Sequence, residues 1–128
     1  MRCLYCYQTL LENEIDFHPS CSKKFFGQPV PPPLPYTEDQ MLALAEQVIR
    51  SHVTVTGVQP KLSLDIISPS TDNTQPKRFS IVGVLGGYIL KPPTQHYPHT
   101  PEIEDLTMHL ASIAKISVVP HSLTGNAD

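Results

Sequence analysis

A chain of 128 residues with a formal charge of −3 and 16% charged residues can bury one modest core, and it lacks the basic field that wraps duplex nucleic acid. It holds no apolar run long enough to span a bilayer, and acids interrupt its opening residues where a signal peptide needs a continuous apolar centre, so a soluble, cytoplasmic chain without membrane association is expected. Fourteen prolines against six glycines predict fixed turns and short elements.

All three cysteines fall in residues 1–27. Cys3, Cys6, His18 and Cys21 form C-x2-C-x11-H-x2-C, two close ligand pairs on short turns separated by a hairpin-length spacer, which is the pattern a tetrahedral Zn2+ requires. Four protein ligands leave no open position, so the site reads as structural. A segment this small has too little apolar area to fold alone, and ligation would supply its folding energy. The bland alternative is three free or buried thiols beside a surface histidine. Tyr5, Tyr7, Phe17, Phe25 and Phe26 lie near Lys23 and Lys24. They read as the small module's own core, with a stacking surface for single-stranded nucleic acid as the weaker alternative.

"GQPVPPPLPY" marks a module boundary, with a proline-rich linker over 28–36. Its prolines favour an extended spacer, an SH3-type ligand being the other reading. From Thr37, "TEDQMLALAEQVIR" carries a hydroxyl cap, Gln40 at the third helical position and early acids, and its Met41, Leu44, Ala45, Val48 and Ile49 share one face.

The runs "HVTVTGV", "KLSLDII", "FSIVGV" and "GGYILK" follow. In the second, Leu62, Leu64 and Ile66 alternate with Lys61, Ser63 and Asp65, predicting a half-buried strand within an antiparallel sheet. "SPSTDNTQPKR" reads as an exposed loop. "HTPEIEDLTMHLASIAK" predicts a helix capped by Thr100, with Pro101 at its first position and a stripe of Ile103, Leu106, Leu110 and Ile113. "ISVVP" reads as a last short strand.

In "VTVTGVQPK", Gly57 lets the backbone approach a ligand, and Thr54, Thr56 and Lys61 offer hydroxyls and a cation around the same bend. Alone, this reads first as a turn entering a strand. Lys91 follows the strand "GGYIL", and Glu104 opens the next helix. A strand lysine held by a helix carboxylate is the arrangement protein kinases use to grip nucleotide phosphates. His52, His96, His99, His109 and His121 raise the question of a second metal site, but they are scattered over separate elements and the close pair His96 and His99 lies in a proline-rich loop, so solvated histidines are expected instead.

"TVTGVQPKLSL", "GGYILKPP" and "YPHTPEIEDLTMHLASIAKISVVPHSL", in this order, resemble the N-lobe motifs of HipA-type serine/threonine kinases, toxins of bacterial toxin–antitoxin pairs. The cysteine-bearing leader resembles that of a subgroup in which it replaces a different N-terminal subdomain. The resemblance implies an α+β chain: a zinc-ribbon-like module at 1–27, the linker, then a kinase-N-lobe-like antiparallel sheet with two helices over 37–128. It further implies a phosphate loop of Thr56, Gly57, Val58, Gln59 and Lys61, with Lys91 as the nucleotide lysine and Glu104 as its partner. ATP and Mg2+ would be cofactors of the intact enzyme. Thr54 and Thr56 stand where relatives carry an autophosphorylated serine, and Lys115 stands where a glycine usually ends the helix. Relatives continue into a C-lobe that bears the catalytic and magnesium-binding aspartates, so this polypeptide alone is expected to be inactive. Its protein substrate, a HipB-like antitoxin or a separate kinase C-lobe would be partners. The alternative is a free-standing, zinc-stabilised regulatory module.

Overall fold

The computed structural model describes residues 1–51, 61–67, 77–81 and 86–128. The predicted strand "HVTVTGV" and the loop "SPSTDNTQP" lie outside the described residues, as do the side chains of Val48 and Ile49. The described residues form three helices, α1 (Pro19–Phe26), α2 (Glu38–Ser51) and α3 (Thr100–Ile113), and three strands, β1 (Leu62–Ile67), β2 (Arg78–Ile81) and β3 (Tyr88–Leu90). This is the expected α+β class. No helix among them is long and apolar enough to cross a membrane. The chain divides into two units, Met1–Pro31 with His99–Gly125, and Pro32–Pro98 with Asn126–Asp128.

The second unit is built on the sheet. Its order is β2-β1-β3, antiparallel throughout. Period-2 patterning turns Leu62 and Leu64 inward, with Phe79 of β2, while Lys61 and Asp65 are exposed. α2 packs against β1 and contributes buried Met41 and Ala45, the centre of its predicted face, with Leu44 half-buried. The start of α2 is a reciprocal capping box: Gln40 N–H donates to Thr37 Oγ1 (3.2 Å), and Thr37 N–H donates to Gln40 Oε1 (2.9 Å). The proline-rich segment is not a free spacer. Leu34 is buried, and the Pro33 carbonyl accepts from Phe79 N–H at 3.0 Å.

The first unit joins the cysteine leader to α3. Its leader is a tight turn with a single antiparallel bridge, Arg2 to Thr9, followed by the short helix α1. Phe17 and Phe26 are buried and meet edge to face at 5.3 Å, with Phe25 against Phe26 at 4.9 Å. These rings are the leader's core. Lys24 Nζ sits 6.0 Å from the ring centre of half-buried Tyr5.

α3 turns its apolar stripe outward. Ile103, Leu106, Leu110 and Ile113 share a stripe, but all four are exposed, and the buried residue of the helix is Asp105. The helix begins one position early, with His99 as N-cap and no side-chain cap bond. The predicted strand over 116–120 is irregular, and no partner strand pairs with it among the described residues. β-branched residues favour a strand only where an edge receives them. The end of α3 is a Schellman turn: Ile116 N–H bonds the Ala111 carbonyl (2.9 Å) and Lys115 takes φ 63°. That left-handed position suits glycine and strains a side chain. Lys115→Gly is therefore expected to stabilise the protein by about 1 kcal/mol, read as a higher urea midpoint, whereas Lys115→Ala leaves the midpoint nearly unchanged.

Candidate metal centre and lysine pair

The metal-ligand pattern converges. Cys3, Cys6, His18 and Cys21 lie close enough together to hold one metal ion. Cys3 and Cys6 come from the tight turn, where Tyr7 N–H bonds the Cys3 carbonyl (2.9 Å) and Tyr7 itself takes φ 67°. The other pair is carried by a helix rather than by a second hairpin turn: His18 is the N-cap of α1 and Cys21 lies in its first turn. Pro19 at the first helical position starts the helix at the ligand pair.

His18 Nδ1 faces Cys6 Sγ at 3.5 Å and Cys21 Sγ at 3.7 Å. Tetrahedral zinc with ordinary Zn–S and Zn–N bonds separates such atoms by about 3.6 Å. The other ring nitrogen, Nε2, donates to the Thr9 carbonyl at 3.0 Å. A carbonyl only accepts, so this contact places the proton on Nε2 and leaves the Nδ1 lone pair toward the sulfurs, the outer-shell arrangement metal-ligating histidines use. The Thr9 carbonyl, foremost, and the neighbouring Cys3 and Glu14 also raise the pKa of His18.

The thiols are unequal. Burial opposes ionisation of Cys3, yet backbone hydrogen bonds from Cys6, His18 and Tyr5 bring it down to about 7. Cys21 is pushed up to about 12 by burial and by Cys6 and Cys3 beside it. Cys3 is thus the thiol poised to ionise, while burial first, and then the neighbouring sulfurs, hold Cys21 protonated. A divalent cation would stabilise the thiolates against both effects.

The predicted phosphate-loop residues Thr56, Gly57, Val58 and Gln59, and Thr54, lie outside the described residues, as does His52. The flanking lysines are described. Leu62 pairs with Leu90, Ser63 with Ile89 and Leu64 with Tyr88. Lys61 immediately precedes Leu62 and Lys91 immediately follows Leu90, so both exposed lysines stand at the same end of neighbouring strands. By alternation they share the face of Ser63 and Ile89, opposite the buried Leu62 and Leu64. Strands lie about 5 Å apart, and like charges so placed repel unless an anion or acid joins them. Lys77 stands at the opposite end, before the pair Arg78 and Ile67. Glu104, read from the sequence as opening the helix, lies half-buried in the second turn of α3, the first-turn acid being Glu102; it belongs to the first unit, whereas Lys91 belongs to the second.

A second polar cluster was not legible as a cluster from spacing. Asp105 is buried; its Oδ2 accepts from the Tyr7 hydroxyl at 2.5 Å, and its Oδ1 lies 2.6 Å from His121 Nδ1. Burial, then this carboxylate, pushes the Tyr7 hydroxyl pKa up. The available signal was Asp105 and His109 four apart on a predicted helix; the return of His121 is tertiary. His96 and His99 are both exposed.

No protein-family model matches the chain, and a search of curated proteins finds no match.

The cysteine cluster predicts that cobalt(II) added to metal-free protein gives thiolate-to-metal charge-transfer absorption that saturates at one equivalent. Cys21→Ser should weaken that uptake at least tenfold in competition with a chelator, since it removes one of four ligands.

Proposed function

We propose that this chain is the phosphate-gripping part of a HipA-like protein serine/threonine kinase, with a leader stabilised by a structural zinc ion. The observation that carries the reading is the strand register that brings Lys61 and Lys91 to one end and one face of the sheet. Two ammonium groups there attract a polyphosphate and supply charge-assisted bonds to it. The order of the motifs around these lysines supports the same reading. In kinases, transfer also requires metal-held phosphates and an aspartate that accepts the substrate hydroxyl's proton, both provided by a second, helical lobe. The closed set of three cysteines and one histidine suits a structural role for zinc, leaving no position for a substrate.

A specific observation favours a second reading: the apolar stripe of α3, with Ile103 at 63% and Ile113 at 78% exposure. Such a stripe suits a docking partner, as expected of a split-kinase subunit or an antitoxin-like regulator. Mixing the chain with a matching C-lobe distinguishes the two. Recovered phosphoryl transfer supports the split enzyme, and inhibition of an intact kinase supports the regulator.

The nucleotide reading is tested by calorimetry with Mg-ATP. A charge-assisted bond is worth about 1.5–3 kcal/mol, so Lys91→Ala should weaken binding tenfold or more. Lys61→Ala should weaken it several-fold, and Lys77→Ala, at the far end of the sheet, should leave it unchanged. Equal effects of all three substitutions would reduce the grip to general charge attraction.

A further inference from the structure

We propose that Asp105, His109 and His121 form a second divalent-cation site, distinct from the cysteine cluster, with a coordination position open to the adjoining cleft. One ligand atom from each residue falls within 4.8 Å of the others. Asp105 and His109 are four apart on α3 and so share a face. The chain then turns back at Lys115 and brings His121 to the same carboxylate. Two imidazoles and one carboxylate are the donor set of zinc and neighbouring first-row divalent ions.

The decisive detail is His109. Its Nε2 is buried and has no hydrogen-bond partner, and it lies 3.4 Å from Asp105 Oδ2. Buried nitrogens are rarely left so, because the unmade bond costs stability. Tyr7, Asp105 and His121 complete a hydrogen-bond network among themselves, whereas His109 packs its ring on Tyr7 and stands at ion-pair distance from Asp105 with its Nε2 outside every hydrogen bond. A cation between the three side chains satisfies this nitrogen and compensates the buried carboxylate. The Tyr7 hydroxyl, already on Oδ2, then acts from outside the ligand set and holds the carboxylate in place.

Three protein ligands leave a tetrahedral ion one position short. His109 and His121 both line an open cleft of about 420 Å³, with Tyr5, Cys6 and Ser112 on its wall. A fourth ligand, water or an anionic oxygen, would have to enter from that side. The site thus contrasts with the cysteine cluster, whose four ligands close it.

The test uses cobalt(II) and zinc as probes on the full chain. Two equivalents should bind, with the thiolate charge-transfer signal complete after the first. His109→Ala and His121→Ala should each lose the second equivalent and keep the thiolate signal, which also reports that the leader remains folded. Tyr7→Phe removes no ligand, so it should keep both equivalents and weaken the second by about tenfold. His96→Ala combined with His99→Ala should change neither. Uptake of a single equivalent by the unaltered protein, retention of the second equivalent in both histidine variants, or its loss on removing His96 and His99 would overturn the proposal.

Discussion

One buried carboxylate organises the first unit. Asp105 takes the Tyr7 hydroxyl from the leader and a ring nitrogen of His121 from the returning segment, groups far apart in sequence held by one side chain. A carboxylate this buried is costly unless its oxygens are satisfied, so its partners cannot be dispersed cheaply. The orientation of α3 follows. Asp105 and half-buried His109 turn toward Tyr7, whose ring lies 4.1 Å from the His109 ring, and the apolar stripe that flanks them is left exposed. Ser122 adds a second tie between the same segments by donating to the Leu4 carbonyl at 3.3 Å.

The leader could not organise itself by apolar burial. Its buried hydrophobic residues are Cys3, Leu10, Phe17 and Phe26, fewer than an independent domain needs. Order there comes from short polar devices: the bond from Leu4 N–H to the Asp16 carbonyl at 2.8 Å, buried Ser22 donating to the Gln28 carbonyl at 2.8 Å, and Gly27 in the left-handed conformation closing α1. Each acts locally. The convergence of three sulfurs and an imidazole is what spans the leader from its first turn to its helix, and a bound cation would convert that crowding from repulsion into cohesion.

What could be read from the sequence divides along the same line. Local devices were legible: the T-x-x-Q box at Thr37 and Gln40, the alternation of β1, and the ligand spacing from Cys3 to Cys21 all encode their partners within a few residues or a recognisable gap. The helix α1 was not anticipated, because eight residues that contain a ligand pair and two lysines show little periodicity of their own. The stripe on α3 was legible as a group, but its spacing carried no statement of which way it faces. Periodicity tells which residues share a face; which face turns inward is decided by the tertiary bond that Asp105 makes, and nothing local to α3 announces it. The run at 116–120 failed for a related reason, since β-branched residues need an open strand edge and here the chain is drawn back toward Asp105 through His121. The lysine pair lies between these cases: both residues were identified, but their shared end and face required the register.

The leader and α3 are tied at one place. Tyr7, which donates to Asp105, follows Cys6 of the candidate ligand set by one residue, and its left-handed backbone (φ 67°) belongs to the turn that presents Cys3 and Cys6. The turn that gathers two of the cysteines therefore also delivers the phenol to the carboxylate. A cation held by the cluster would fix that turn and, with it, one of the two tethers of Asp105; the other, His121, is independent of the leader. The proposed cation at Asp105, His109 and His121 would act on α3 itself, so the two ions would order one unit by separate routes.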